Sequence, residues 1–274
     1  MAITNCIIIF SRTKQPVKVR ILIYLFKEKT MSRFVYFLAL LCVIFSYTEA
    51  GIYLRDNLKN AEAGDFIVTM QNKTCSLLHI YSKEGQYLTI EEISLPASKT
   101  KSMDSWRAWV QEGAPGHTSW TMYSVNLMNG AIDRCFSFTK NRWCDPTPTE
   151  NFLGTLLNLH LNLVSTHERK KIGGYAIGTP GPRRIWEPRL IVDGNVITGV
   201  SFDAWRTHWP KDGSILSGKT IEVYVPSENT PYPSYFPYWL EISGMMGQAK
   251  LRVVDSGKGL RSPKPSLFQL EAAL

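Results

Sequence analysis

The 274-residue chain is short of several things that would label a function at once. It has five cysteines and no C-x-x-C pair, which argues against a zinc knuckle or a thioredoxin-type redox site. None of its five histidines falls in H-E-x-x-H or H-x-H, and no G-x-S-x-G elbow marks a serine hydrolase. No apolar run approaches the ~20 residues that cross a bilayer as a helix. No repeat of 20–50 residues is visible, which excludes solenoids and propellers. The remaining composition is that of an ordinary globular protein, with 44% hydrophobic and 20% charged residues.

Positive charge is concentrated at one end. The formal charge is +8, but residues 1–50 hold seven of the 31 bases and only two of the 23 acids, so 51–274 carries +3. The basic balance therefore says little about a nucleic-acid partner, and none is expected. From Met31 the chain reads as a secretory signal peptide. Arg33 supplies the positive end, Val35–Phe45 the apolar run, and Ser46, Thr48 and Ala50 the small residues ahead of a cut before Gly51. Residues 1–30 are then an over-long start or a non-structural leader, and 51–274 is a single exported domain.

Export makes a disulfide chemically accessible. Cys135 and Cys144 flank FSFTKNRW, which reads as strand, turn and return strand, so a Cys135–Cys144 bridge is expected, with Cys75 left over.

The exported part reads as mainly β. Short runs rich in β-branched and aromatic residues recur, separated by turn pairs: Glu84-Gly85, Asn129-Gly130 and Asp193-Gly194. Trp106–Val110 is grouped with these runs. The spacing of Phe152, Leu153, Leu156 and Leu157 predicts a helix, followed by strand-like alternation from Leu159 to Leu163. Ser165 and Glu168 suggest one capped turn. Residues 173–185 form a Gly/Pro hinge loop, and the tail after Ser256 reads as extended. The expected architecture is an antiparallel barrel, half-barrel or sandwich with one short helical insertion near 150–172.

Gly213-Ser-Ile-Leu-Ser-Gly218-Lys219-Thr220 matches the letters of a phosphate-binding loop. Its context opposes that chemistry. Trp209-Pro-Lys-Asp precedes it in place of a buried strand, and a strand-like segment follows it in place of a helix whose N-terminus could meet phosphates. A turn entering a strand is the expectation, with no cofactor and no metal.

Eight Trp and 12 Tyr are more informative. Trp205-Arg-Thr-His-Trp209 places two rings four residues apart, as on one face of a short helix. Tyr232-Pro-Ser-Tyr-Phe-Pro-Tyr-Trp239 is an aromatic run entering a strand. Trp205, Trp209, Tyr235, Phe236, Tyr238 and Trp239 are the candidate ligand-contacting residues, for an apolar or carbohydrate groove or a protein surface. Arg169-Lys170-Lys171 with Arg183-Arg184 could add peripheral contact with anionic lipid.

The stretch 186–255 resembles uncharacterised exported proteins of Gram-negative bacteria. Gly218-Lys-Thr-Ile-Glu-Val-Tyr224 and Phe236-Pro-Tyr-Trp-Leu-Glu-Ile242 also look like the closing strands of Lol-type periplasmic lipoprotein carriers. That resemblance implies an unclosed barrel with an apolar concave face, and transfers no functional residue. The leading expectation is an exported, non-enzymatic envelope protein that binds an apolar ligand, such as a lipid, or a protein partner. Two alternatives stand beside it: a secreted hydrolase whose triad is assembled from distant residues, and a secreted interaction protein acting outside the cell.

Overall fold

A computed structural model describes residues 51–145, 152–172, 184–227, 230–243 and 249–273. The leader, most of the Gly/Pro loop and the turn at 244–247 lie outside the described residues.

Twelve strands form one antiparallel sheet. In spatial order they are β1 (Gly51–Tyr53), β8 (His160–Leu163), β13 (Phe202–His208), β14 (Thr220–Pro226), β15 (Trp239–Ser243), β16 (Ala249–Gly257), β2 (Phe66–Gln71), β3 (Thr74–Glu84), β4 (Tyr87–Pro96), β5 (Ser119–Asn126), β6 (Ile132–Ser137) and β7 (Arg142–Trp143). β1 and β7 are its two edges and do not pair with each other, so the sheet is open and sandwich-like, not a closed barrel. Two small ribbons lie outside it: β9 (Lys171–Ile172) with β10 (Arg184–Ile185), and β11 (Leu190–Val192) with β12 (Asn195–Ile197).

Alternation along the strands assigns the two faces. One face presents Ile67, Leu78, Ile80, Ile90, Tyr123 and Val125 from one half of the sheet, and Ile221, Val223, Leu240 and Ile242 from the other. Both halves share a single core with helices α1 (Leu54–Leu58) and α3 (Phe152–Asn158), which contribute Leu54, Leu58, Leu156 and Leu157. The interior of the curved sheet is thus filled by the chain itself. The opposite face of β2–β5 buries Phe66, Val68, Leu77, Ile93 and Trp120 beneath helix α2 (Trp106–Gln111) and Leu260.

The helical content exceeds the single insertion expected near 150–172. Trp106–Val110 is helical because Ser105 caps it, accepting from the Ala108 N–H at 3.1 Å, and because the i, i+3 pair Trp106/Trp109 packs edge-to-face. The tail is not simply extended. It ends in helix α4 (Leu267–Ala272), started by a Ser266–Gln269 capping box and held by buried Leu267. In the other direction, Trp205–His208 is strand and not helix, and Trp209 follows it. So short a segment cannot hold a helix alone, and Phe202–His208 instead finds a full register of partners on β14.

The turns behave individually. Asp193 and Gly194 both have positive φ (49° and 76°) and close a two-residue hairpin. Of Asn129-Gly130 only the glycine is left-handed. The turn is longer than two residues, because the Asn126 and Asn129 side chains accept the Met128 and Ala131 N–H groups. Gly213–Thr220 is the β13–β14 hairpin loop, closed by Trp209 and Lys219 main-chain bonds and followed directly by strand. Its amides are spent inside the loop: the Ser214 N–H donates to Asp212, the Leu216 N–H to the Ser214 hydroxyl, and the Ser217, Gly218 and Lys219 N–H groups to loop carbonyls.

Candidate functional site

The six aromatic candidates do not form one surface. Trp209 is 4% exposed, stacks on Phe152 at 5.4 Å, and donates its N–H to Asp212 at 2.9 Å. Tyr235, Phe236 and Tyr238 are buried; the Tyr238 hydroxyl donates to the Pro233 carbonyl at 2.6 Å. The Tyr235 hydroxyl has no partner, and burial pushes its ionisation well above the usual tyrosine range. These four side chains build the core.

Trp205 and Trp239 are half-buried and lie on opposite faces. Trp205 pairs with Val223, Val223 with Leu240, and all three point to the inner face. Trp239 pairs with Tyr224 and points outward. There Trp239 meets Trp186 edge-on at 4.8 Å. The Lys170 ammonium lies 5.3 Å from the Trp186 ring and 5.8 Å from the Trp239 ring, and Glu241 sits 3.6 Å from the same ammonium. Arg169, beside it, donates to Glu187 at 3.1 Å and to the Phe202 carbonyl at 2.6 Å. Two of the five basic residues, Arg169 and Lys170, are therefore committed to internal partners; Arg183 lies outside the described residues.

Around Trp205 the situation differs. A depression of about 200 Å³ is lined by Ile52, Val225, Pro226 and Trp205, and by the polar side chains of Asn57, Asn60, Asp203, Ser227 and Ser234. Each wall has a local cause. Asp203 and Trp205 are i, i+2 on β13 and so share a face. Asn57 and Asn60 lie on and just after α1, whose Leu54 and Leu58 anchor it in the core. Among the described residues, none of the five polar side chains makes a hydrogen bond or ion pair. Asp203, Asn57, Asn60, Ser227 and Ser234 escaped the sequence reading. The helical interpretation of 205–209 hid the one available signal, the D-x-W alternation.

A larger depression, about 340 Å³, lies beside the His117 loop and is lined by Asp104, Ser105, Trp109 and Glu112 among others. Much of its polar chemistry is already used. The Ser105 hydroxyl caps α2, and the Trp109 N–H donates to the Pro115 carbonyl at 3.1 Å. His117 turns its Nδ1 to the Ala114 carbonyl at 2.8 Å and sets its ring against Trp120.

The most elaborate polar network is buried and structural. His79 Nδ1 meets Glu91 Oε2 at 2.8 Å, and His79 Nε2 meets the Leu260 carbonyl at 3.1 Å. Glu91 Oε1 accepts from Trp120 Nε1 at 2.7 Å and from the Ser262 hydroxyl at 2.6 Å. Ser262 thus bonds the carboxylate and not the imidazole, which is the wrong order for a nucleophile activated by histidine. Ser165 donates its hydroxyl hydrogen bond to Glu168 at 2.7 Å and lies at a longer 3.4 Å from His167 Nε2.

Cys135 on β6 and Cys144, the residue after β7, are neighbours joined by a main-chain bond of 2.7 Å, and both are thiols in this structure. Burial, and then the hydrogen bond to Cys144, push the Cys135 thiol up to about 12. Among the described residues no group of three His, Cys, Asp or Glu is placed to hold a metal.

Comparison with known proteins extends the fold and adds no chemistry. No curated protein matches. The solved structure of the hypothetical protein CT021 from Chlamydia trachomatis superposes with a TM-score of 0.56 at 18% identity, covering 79% of this chain and 98% of that one. Residues 76–198 match the model of the family described as CT021 protein, and the chain is similar to that family in sequence over this stretch and to its Chlamydia trachomatis representative in fold.

Proposed function

We propose that this is an exported, non-enzymatic binding protein that engages its ligand at the Trp205 depression. One observation carries the reading. A half-exposed indole is ringed by five polar side chains that the fold leaves without partners. These side chains are half-buried or exposed, so solvent meets them in the free protein and a ligand can take the place of that water. Convergent polar groups around an aromatic wall are what a binding site requires.

The interior packing weighs against a lipid carrier. Helices α1 and α3 occupy the space that an apolar ligand would need, so a polar ligand is favoured. The positions of His79, His117 and Ser262 favour binding over hydrolysis. Export rests on the signal-peptide layout of 31–50. In an oxidising compartment the facing thiols of Cys135 and Cys144 would close as a disulfide.

Native mass spectrometry of the protein isolated from the exported fraction tests the reading. A polypeptide starting at Gly51 with a small-molecule adduct, absent from Trp205→Ala, is expected. An adduct that persists in Trp205→Ala would place binding elsewhere.

A further inference from the structure

We infer that the Trp205 depression takes a neutral polyhydroxylated ring, the chemistry of a sugar residue. This rests on the reading of that depression as the binding site and names its ligand class.

The lining selects by what it can donate and accept. Asn57 and Asn60 each carry two N–H donors and a carbonyl acceptor, and Ser227 and Ser234 can do either. Asp203 accepts only. A ligand must therefore both give and take hydrogen bonds to satisfy the set. An ammonium group at best gives hydrogen bonds and, when quaternary as in choline, gives none, and in either case it would leave the amide N–H groups of Asn57 and Asn60 unanswered. A phosphate or carboxylate fails for the opposite reason. The lining holds no Lys or Arg, and its single ionic side chain is the Asp203 carboxylate, which repels an anion. An aliphatic chain would desolvate all five polar side chains and return nothing. Vicinal hydroxyls combine donors and acceptors at the required density.

The indole supplies the remaining contact. A sugar ring has one face of C–H bonds, weakly positive, which packs on the negative face of an aromatic ring. The volume of about 200 Å³ is that of a single-ring subsite rather than a tunnel. Trp205, Asp203 and Val225 come from the paired strands β13 and β14, so indole and carboxylate are held at a spacing fixed by the strand ladder.

The test uses protein produced from the full-length gene, with its eight tryptophans replaced by 5-fluorotryptophan. Trp205→Phe assigns the Trp205 fluorine resonance by its disappearance. A panel of neutral mono- and disaccharides, choline chloride and decanoate are each titrated. The expected result is a saturable shift of the Trp205 resonance with at least one saccharide. That affinity should weaken about tenfold or more in Asp203→Ala and stay unchanged in Trp239→Phe, on the opposite face. If choline or decanoate moves the Trp205 resonance and no saccharide does, the ligand class is overturned while the site stands. If no probe moves it, or another tryptophan responds instead, both the class and the site are overturned.

Discussion

Glu91 is the residue whose removal should most damage the fold without touching the Trp205 depression. It is fully buried and accepts three hydrogen bonds, from His79, Trp120 and Ser262. In Glu91→Ala all three donors lose their acceptor in a site without room to rotate toward solvent. Each stranded buried donor costs about 1–3 kcal/mol, so three give roughly 3–9 kcal/mol. Partial relaxation brings the expected loss toward the lower part of that range, about 4 kcal/mol. For a domain of this size that lowers Tm by roughly 8–16 °C. Glu91→Gln should be milder, at about 1–2 kcal/mol. Its carbonyl can still accept from Trp120 and Ser262, and its NH2 can donate to His79 Nδ1 while Nε2 keeps its proton on the Leu260 carbonyl. Thermal unfolding followed by circular dichroism reads both. Hydrogen exchange should also loosen residues 258–266, which the network ties to the sheet. If Glu91→Ala shifts Tm by less than about 3 °C, or if the alanine and glutamine variants are equal, the network is not holding the tail and the reasoning fails.

Three further outcomes follow from the packing. Trp209→Ala should cost roughly 3–5 kcal/mol, because it empties a buried site stacked on Phe152, whereas Trp205→Ala should stay folded and lose far less; equal losses by urea denaturation would contradict their different placement. Burial raises the carboxyl of Asp65, so between the ordinary carboxylate range and that raised value the folded state holds more protons than the unfolded chain. The stability of the natural protein relative to Asp65→Asn should therefore fall as pH rises from about 4 to 7, and a rise over that interval would be the wrong sign. In the reduced folded protein Cys135 should react with iodoacetamide at pH 8 far more slowly than in the urea-unfolded chain, because burial and the contact with Cys144 hold its thiol up to about 12; mass mapping that finds Cys135 modified equally fast in both states would refute this.

The strand pattern was largely legible because sheet formation leaves a local signature. Asp193-Gly194 shows this well: two adjacent positive-φ residues between apolar runs have one economical solution. Phe152–Asn158 announced itself by helical spacing for the same reason. What the chain concealed were choices decided by distant partners. Trp205-x-x-x-Trp209 fits a helix and a strand alike, and the ladder to β14 settles it. Trp106–Val110 carries β-friendly aromatics, yet the Ser105 cap and the face of β2–β5 beneath it make it helical. Openness of the sheet depends on two edges, β1 and β7, far apart in sequence. The candidate site was half visible. Aromatic content pointed to Trp205, but Asn57 and Asn60 stand well over a hundred residues upstream of it, and only the fold brings them to its ring. Trp209, Tyr235, Phe236 and Tyr238 drew notice by the same aromatic content and are core, since composition alone does not separate a lining ring from a packed one.

The central claim is that recognition occurs at the Trp205 depression, and a hydrogen-exchange footprint addresses it most directly. The protein is compared alone and with a mixture of soluble oligosaccharides at millimolar concentration. Protection confined to peptides covering 52–60, 203–205 and 225–234 is the predicted result. Protection over 99–116, beside the larger depression, with none around Trp205, would contradict it.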